Sequence, residues 1–122
     1  NICWCNHFVI IYPSWWSSMP ALLKGLFDRM WLPGFAFEFW PSGLGWTRLL
    51  KGRTARVFVS SDAHPLIARF LFGDNTNEIR NGVLRFAGFS ARVKKVGPVK
   101  NISQEGKTEW IQKFEKYGSI LY

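Results

Sequence analysis

Ser14, Trp15, Trp16, Ser17 and Ser18 stand in one unbroken run, with Pro13 before them and Met19-Pro20 after. Residues 7–12 (His-Phe-Val-Ile-Ile-Tyr) form a β-branched and aromatic run that reads as a strand. The residues that follow have helical spacing. In an open α/β sheet, ligands bind at the carboxyl ends of strands. Indole rings and unengaged backbone N–H groups at such a place suit a flat ring system with a polar edge. Taken alone, Trp15 and Trp16 read more naturally as core aromatics. A second group has the same relation to a second strand, because Ser60, Ser61, Asp62, Ala63 and His64 close the run 54–60. Asp62 can accept a hydrogen bond from a ring N–H or cap the following helix. His64 carries an imidazole that can give a proton to a reduced oxygen.

These two loops need a scaffold. Residues 7–12 are apolar at nearly every position, as expected of a parallel strand buried on both faces. Pro13 is expected to end it. Ser18 is the expected N-cap of a helix running to about Leu32, with Pro20 in its first turn. Gly25 inside that helix implies a close approach to the sheet. Residues 35–40 read as extended, 41–47 as a loop, and Thr54-Ala-Arg-Val-Phe-Val-Ser60 as the second strand. Residues 65–73 and 76–87 read as a broken helix, 88–96 as the third strand, and 103–118 as a final helix. In that last helix Trp110, Ile111, Phe114 and Tyr117 share a stripe. The first six residues read as the last turn of a helix ended by Asn6. Asp28 and Arg29 read as a structural charge pair. Strand and helix alternate throughout, which is the α/β pattern.

The totals narrow the function classes. A chain of 122 residues, 48% hydrophobic and 17% aromatic, has material for one core and is not expected to be disordered. No apolar run approaches the roughly 20 residues of a membrane span. The net charge of +8 is spread along the chain, which reads as solvated faces and gives no nucleic-acid motif. Cys3 and Cys5 are too few for a structural zinc site and lack redox spacing, so they read as ordinary cytosolic thiols. Two histidines without a ligand cluster argue against a metal enzyme. His7 reads as a surface or capping residue.

From Tyr12 to Phe37 the chain carries Y-P-x-W-W-x-x-M-P-A-L-L-K-G-x-F-D-R and, shortly after, P-G-F-A-F. This run resembles the flavodoxin-like NAD(P)H:quinone oxidoreductases. That group includes DT-diaphorase, the bacterial modulator of drug activity and the ancillary oxidoreductases of potassium efflux systems. Val83-Leu84-Arg85-Phe86-Ala87-Gly88-Phe89 is similar to the family segment that enters its last strand. The resemblance implies a three-layer α/β/α fold with a five-stranded parallel sheet, bound FMN or FAD, and a homodimer. It further implies hydride passage from NAD(P)H through flavin N5 to a quinone, with the cofactor carrying the chemistry.

By matched position, Pro13, Ser14, Trp15, Trp16, Ser17 and Ser18 would lie along the flavin ring, with N–H groups near Trp16 and Ser17 at its N5/O4 edge. Ser60, Ser61, Asp62 and Ala63 would meet the pyrimidine edge. Phe37 and Phe39 would face the partner's substrate pocket across the dimer. His64 is the candidate catalytic proton donor, at a position where many relatives read Pro. Ser17 stands where Gly is common, so a loop of different shape is expected. The family's first strand and its G-H-P-x-x-x-S phosphate loop have no counterpart in these residues. Residues 1–122 are therefore expected to be one domain that is the C-terminal portion of a longer one. A cytoplasmic place is implied, extending to the inner membrane for members that serve transporters. A non-catalytic transporter subunit and a truncated remnant are the alternative readings.

Overall fold

The computed structural model describes Ile2 and residues 4–120. The chain forms β1 (His7–Pro13), α1 (Ala21–Met30), β2 (Phe37–Phe39), β3 (Trp46–Arg48), β4 (Thr54–Ser60) and α2 (Pro65–Phe72). A helical segment, Glu78–Arg85, then precedes β5 (Ser90–Val96) and α3 (Gln104–Ser119). Strands β1, β4 and β5 make one parallel sheet in that order, with His7 opposite Thr54 and Thr54 opposite Ser90. Parallel neighbours need crossover connections, which α1 and the β2–β3 hairpin supply on one side of β4 and the two middle helices on the other.

Side-chain alternation assigns the two faces. Ile10 and Tyr12 of β1 and Ala55, Val57 and Val59 of β4 are buried with Phe27, Ile79 and Leu84. This is the main core, between the sheet and the helices that cross from β1 to β5. On the opposite face Phe58 meets the rings of Phe114 and Tyr117 from α3, at 4.7 and 5.8 Å. The result is the expected α/β/α layering. The described part of the sheet holds three strands, matching the three read from the sequence.

Several local expectations change. Val9 and Ile11 are 51% and 69% exposed, so β1 is buried on one face only. Its outer edge pairs with no described strand. Pro13 is the last residue of β1 rather than its stop, opposite Ser60, since a final edge position needs no N–H. Ser18 does not cap α1. The cap is Pro20, without a side-chain bond, and the Ser18 hydroxyl donates to Glu78 Oε2 at 2.7 Å.

A Cβ on Gly25 would meet nothing within 4 Å, so no close approach explains this glycine. Asp28 pairs with Lys24 one turn back, not with Arg29. Trp46 and Thr47 belong to β3, whose antiparallel pairing with β2 turns the expected loop into a hairpin. In α3, Ser103 caps the start by accepting from the Gly106 N–H at 3.1 Å, but Ile111 is exposed and leaves the stripe. Among residues 2 and 4–6 there is a turn rather than a helix. Cys5 is a free thiol donating to the Ile2 carbonyl, while Asn1 and Cys3 lie outside the described residues.

The segment Glu78–Arg85 winds with i→i+5 hydrogen bonds, so that the Phe86 N–H reaches the Asn81 carbonyl. Such wide turns are rare over this length and concentrate near functional sites. Here the segment carries Glu78, the partner of Ser18.

Candidate functional site

The connection leaving β1 is a two-residue hairpin turn. Trp15 and Ser18 exchange N–H···O bonds at 3.0 Å in both directions. Trp16 and Ser17 form the tip, with φ of +51° and +64°. Positive φ at both central positions defines a type I′ turn, which normally selects Asn and Gly. Trp16 and Ser17 hold it because the frame is fixed elsewhere. The Ser14 N–H donates to the Ser60 carbonyl at 2.7 Å, continuing the β1–β4 ladder, and Ser18 is tied to Glu78. The cost is backbone strain of order 1–3 kcal/mol per residue. The consequence is that the tip N–H groups of Trp16 and Ser17 donate to no other described residue.

The second loop is tied to the end of β5. The Ser61 N–H donates to the Val96 carbonyl at 2.9 Å, and the Ser61 carbonyl accepts from the Val99 N–H at 3.0 Å. Gly97 makes this possible, since a Cβ there would stand 2.2 Å from the Ser61 oxygen. Asp62 Oδ1 accepts from the Lys100 N–H at 3.0 Å, so the carboxylate does not cap α2. That role falls to His64, whose Nδ1 accepts from the Leu66 N–H at 3.4 Å.

Between the loops lies a cleft of about 470 Å³. Ser14, Trp16 and Ser17 line one side, and Ser61, Asp62 and Ala63 another. Trp16 is 100% exposed, so its indole is presented to the cleft and to solvent rather than packed in the core. A smaller cavity of about 210 Å³ shares Ser14, Ser61 and Asp62 with the cleft and is also bounded by Pro13, Trp15 and Ser60. The structure thus brings most of the sequence-expected residues to one place.

Three do not join. Ser18 is turned to Glu78, and His64 is engaged at its helix and is not part of the cleft wall. Phe37 and Phe39 lie together in the hairpin with rings 5.0 Å apart, and Phe37 packs on Phe86 at 5.0 Å. Neither lines the cleft within one chain.

Sequence reasoning missed Ala68, Phe72 and Asn75, which complete the wall. Asn75 Nδ2 donates to Ser14 Oγ at 3.0 Å, bridging 61 residues, and its buried Oδ1 has no partner. Gly73-Asp74-Asn75 was legible only as a helix break. Behind the cleft, burial and the neighbouring Glu78 push the Tyr12 phenol up to about 12, so it stays protonated.

A parallel sheet with a cleft at the carboxyl ends of adjacent strands is an α/β arrangement, and that is the place where ligands bind in open α/β sheets. The flavodoxin-like fold family matches residues 1–113, and the chain belongs to that family. It is 32% identical over 102 residues to the ribosyldihydronicotinamide dehydrogenase [quinone] of Pongo abelii, an alignment covering 77% of this chain and 42% of that protein. The solved structure of Smu.1420 from Streptococcus mutans UA159 superposes with a TM-score of 0.83 at 25% identity, over 92% of this chain and 58% of the other. An NAD(P)H:quinone oxidoreductase from Methanothermobacter marburgensis superposes with a TM-score of 0.78 at 22% identity, over 99% and 61%, which supports the fold. The chain spans about half the length of the curated relatives it matches, for example 48% of the Rattus norvegicus protein.

Proposed function

We propose that this chain supplies the ring-binding side of a flavin-dependent NAD(P)H:quinone oxidoreductase. One observation carries the reading: two consecutive unengaged N–H groups, at Trp16 and Ser17, are held at the tip of a strained turn opposite the Ser61–Ala63 loop. Backbone donors fixed in advance suit a ring edge that gains electron density on reduction, because they need no reorganisation. The Trp16 indole offers a flat face beside them. The residues present therefore fit the ring portion of FMN or FAD, and the cleft volume falls in the usual range of small-ligand sites. The bound flavin would accept and release the reducing equivalents.

The chain's own residues bind and orient. Asn75 fixes Ser14, Gly97 and Val96 fix Ser61, and Asp62 is anchored through Lys100. His64 stands outside the cleft wall, and a proton given by it would leave from Nε2, since Nδ1 accepts from the Leu66 N–H. Phe37 and Phe39 would serve a quinone pocket across a homodimer, in keeping with the relatives named quinone dehydrogenases. FMN and FAD share the ring that this cleft addresses.

The test is a visible-absorption titration of the purified protein with FMN and with FAD. Saturable perturbation of the flavin bands is the expected result, and its absence with both cofactors removes the proposal. Trp16→Ala should weaken flavin binding about tenfold, the loss of roughly 1.4 kcal/mol of aromatic contact. An unchanged dissociation constant would take Trp16 out of the site.

A further inference from the structure

Helix α2 borders two cavities. Ala68 and Phe72 line the cleft, while Leu66 and Arg69 line a second cavity of about 280 Å³. Asp74, Thr76, Arg80, Val93 and Lys95 complete that second wall. It lies at the carboxyl end of β5, where Lys95 is the last residue but one.

Cations from α2, from the segment Glu78–Arg85 and from β5 meet there around one carboxylate. Asp74 pairs with Arg80 Nη2 at 3.0 Å through Oδ2 and with Lys95 Nζ at 3.3 Å through Oδ1. The Thr76 N–H and hydroxyl donate to the same Oδ1, so the carboxylate is fixed by its own loop. Asp74 therefore braces two cations side by side while cancelling the charge of one. Arg69 is exposed and belongs to none of the described ion pairs. The Arg80 Nε has no hydrogen-bond partner, so its guanidinium fork is only partly used. Three cations against one carboxylate leave the wall a formal charge of +2. A concave wall of one sign concentrates ions of the other.

We propose that this cavity binds a small phosphate monoester, its phosphoryl group on Arg69, Arg80 and Lys95 and its organic group on Leu66 and Val93. Charge selects the class. A phosphate monoester carries about −1.5 to −2 at neutral pH, whereas a diester or a carboxylate brings a single charge. Donor geometry agrees, because the arginine fork matches phosphoryl oxygens and lysine adds a point charge. The apolar part of the wall favours an ester over the free ion. A nucleotide ribose phosphate and a simple polyol phosphate share this chemistry. The site is separate from the cleft, with α2 as the wall between them.

The experiment is calorimetric titration of the 122-residue chain at neutral pH and matched ionic strength. The probes are adenosine 2′-phosphate, glycerol 2-phosphate, inorganic phosphate and diethyl phosphate. At least one monoester should bind about tenfold more tightly than inorganic phosphate and diethyl phosphate. Adenosine 2′-phosphate ahead of glycerol 2-phosphate supports the site with a nucleotide as the source, and parity supports it with a simple ester. Inorganic phosphate or diethyl phosphate binding as tightly as both monoesters overturns the proposal.

Arg69→Gln removes an exposed side chain and should weaken monoester binding about tenfold. Lys94→Gln removes the same charge from an exposed position outside the wall and should leave binding unchanged. Equal weakening by the two variants would mean diffuse attraction to a basic protein, and it overturns the site. Lys95→Gln tests the same wall from another element, so one failed variant does not end the test. Full affinity in both Arg69→Gln and Lys95→Gln overturns the proposal. None of these titrations contains flavin, so their outcome and that of the flavin titration are read independently.

Discussion

Ser17 shows how much one residue decides in this cleft. A side chain in the left-handed region costs about 1 kcal/mol, which Gly avoids. Glycine in turn gives up roughly 0.5 kcal/mol through the freer unfolded chain. Ser17→Gly should therefore stabilise the protein by about 0.5 kcal/mol, while Ser17→Val, with a branched Cβ at φ of +64°, should cost about 1–2 kcal/mol. Urea unfolding of the three proteins checks this. Equal stability of the Val and Gly variants would mean the turn does not hold its left-handed tip. With Ser17 at its tip the turn is nonetheless closed. Its frame comes from the Trp15–Ser18 bonds, the Ser14 ladder bond and Glu78, not from the tip residue.

At the scale of elements, what was legible depended on how local the determinants are. Strand β4 and helix α3 declare themselves through a β-branched run and through Ser103 at the cap. The β2–β3 hairpin did not, because Trp46 and Thr47 sit in a Pro- and Gly-rich stretch and pair only once folded. Ser18 looked like a cap because its partner Glu78 lies 60 residues away. Asn75 was invisible as a site residue for the same reason. The break that contains it is itself a fixed structure. Asp74 accepts from the Thr76 hydroxyl at 2.7 Å and the Thr76 N–H at 3.1 Å, and it pairs with Arg80 at 3.0 Å and Lys95 at 3.3 Å.

The Thr76 bonds first, then Lys95, hold the Asp74 carboxyl at about 2, below its ordinary 3.8. A depressed acid stabilises the fold above its unfolded-state pKa, and that contribution is lost as pH falls through the folded-state value. The midpoint gap between wild type and Asp74→Asn should therefore be constant above about pH 5 and shrink between about 4 and 2. A gap that is flat across this window would show that Asp74 acts through packing rather than charge.

The whole molecule has two kinds of sheet edge. The free side of β5 carries Arg92, Lys94 and Lys95, and such charges discourage pairing with another chain. The free side of β1 carries His-Phe-Val-Ile-Ile-Tyr-Pro without a formal charge, and Val9 and Ile11 stand exposed beside it. An apolar, unguarded edge is the expected site of self-association when nothing covers it. The net charge of +8 opposes this only at low salt, because screening shortens its reach to about 10 Å at 0.1 M. Self-association of the chain should therefore rise with ionic strength and run through β1. Ile11→Lys places a charge at a 69% exposed position, where the folded chain loses little burial. It should reduce the associated fraction in size-exclusion chromatography with light scattering, leaving the unfolding midpoint within a few degrees. Phe70→Lys, on the exposed apolar face of α2, is the control. If Phe70→Lys disperses the protein and Ile11→Lys does not, the sticky surface is α2 and the β1 edge is protected in some other way. If Ile11→Lys alone disperses it, the same strand that positions the Trp15–Ser18 turn at one end also presents the unpaired edge along its length.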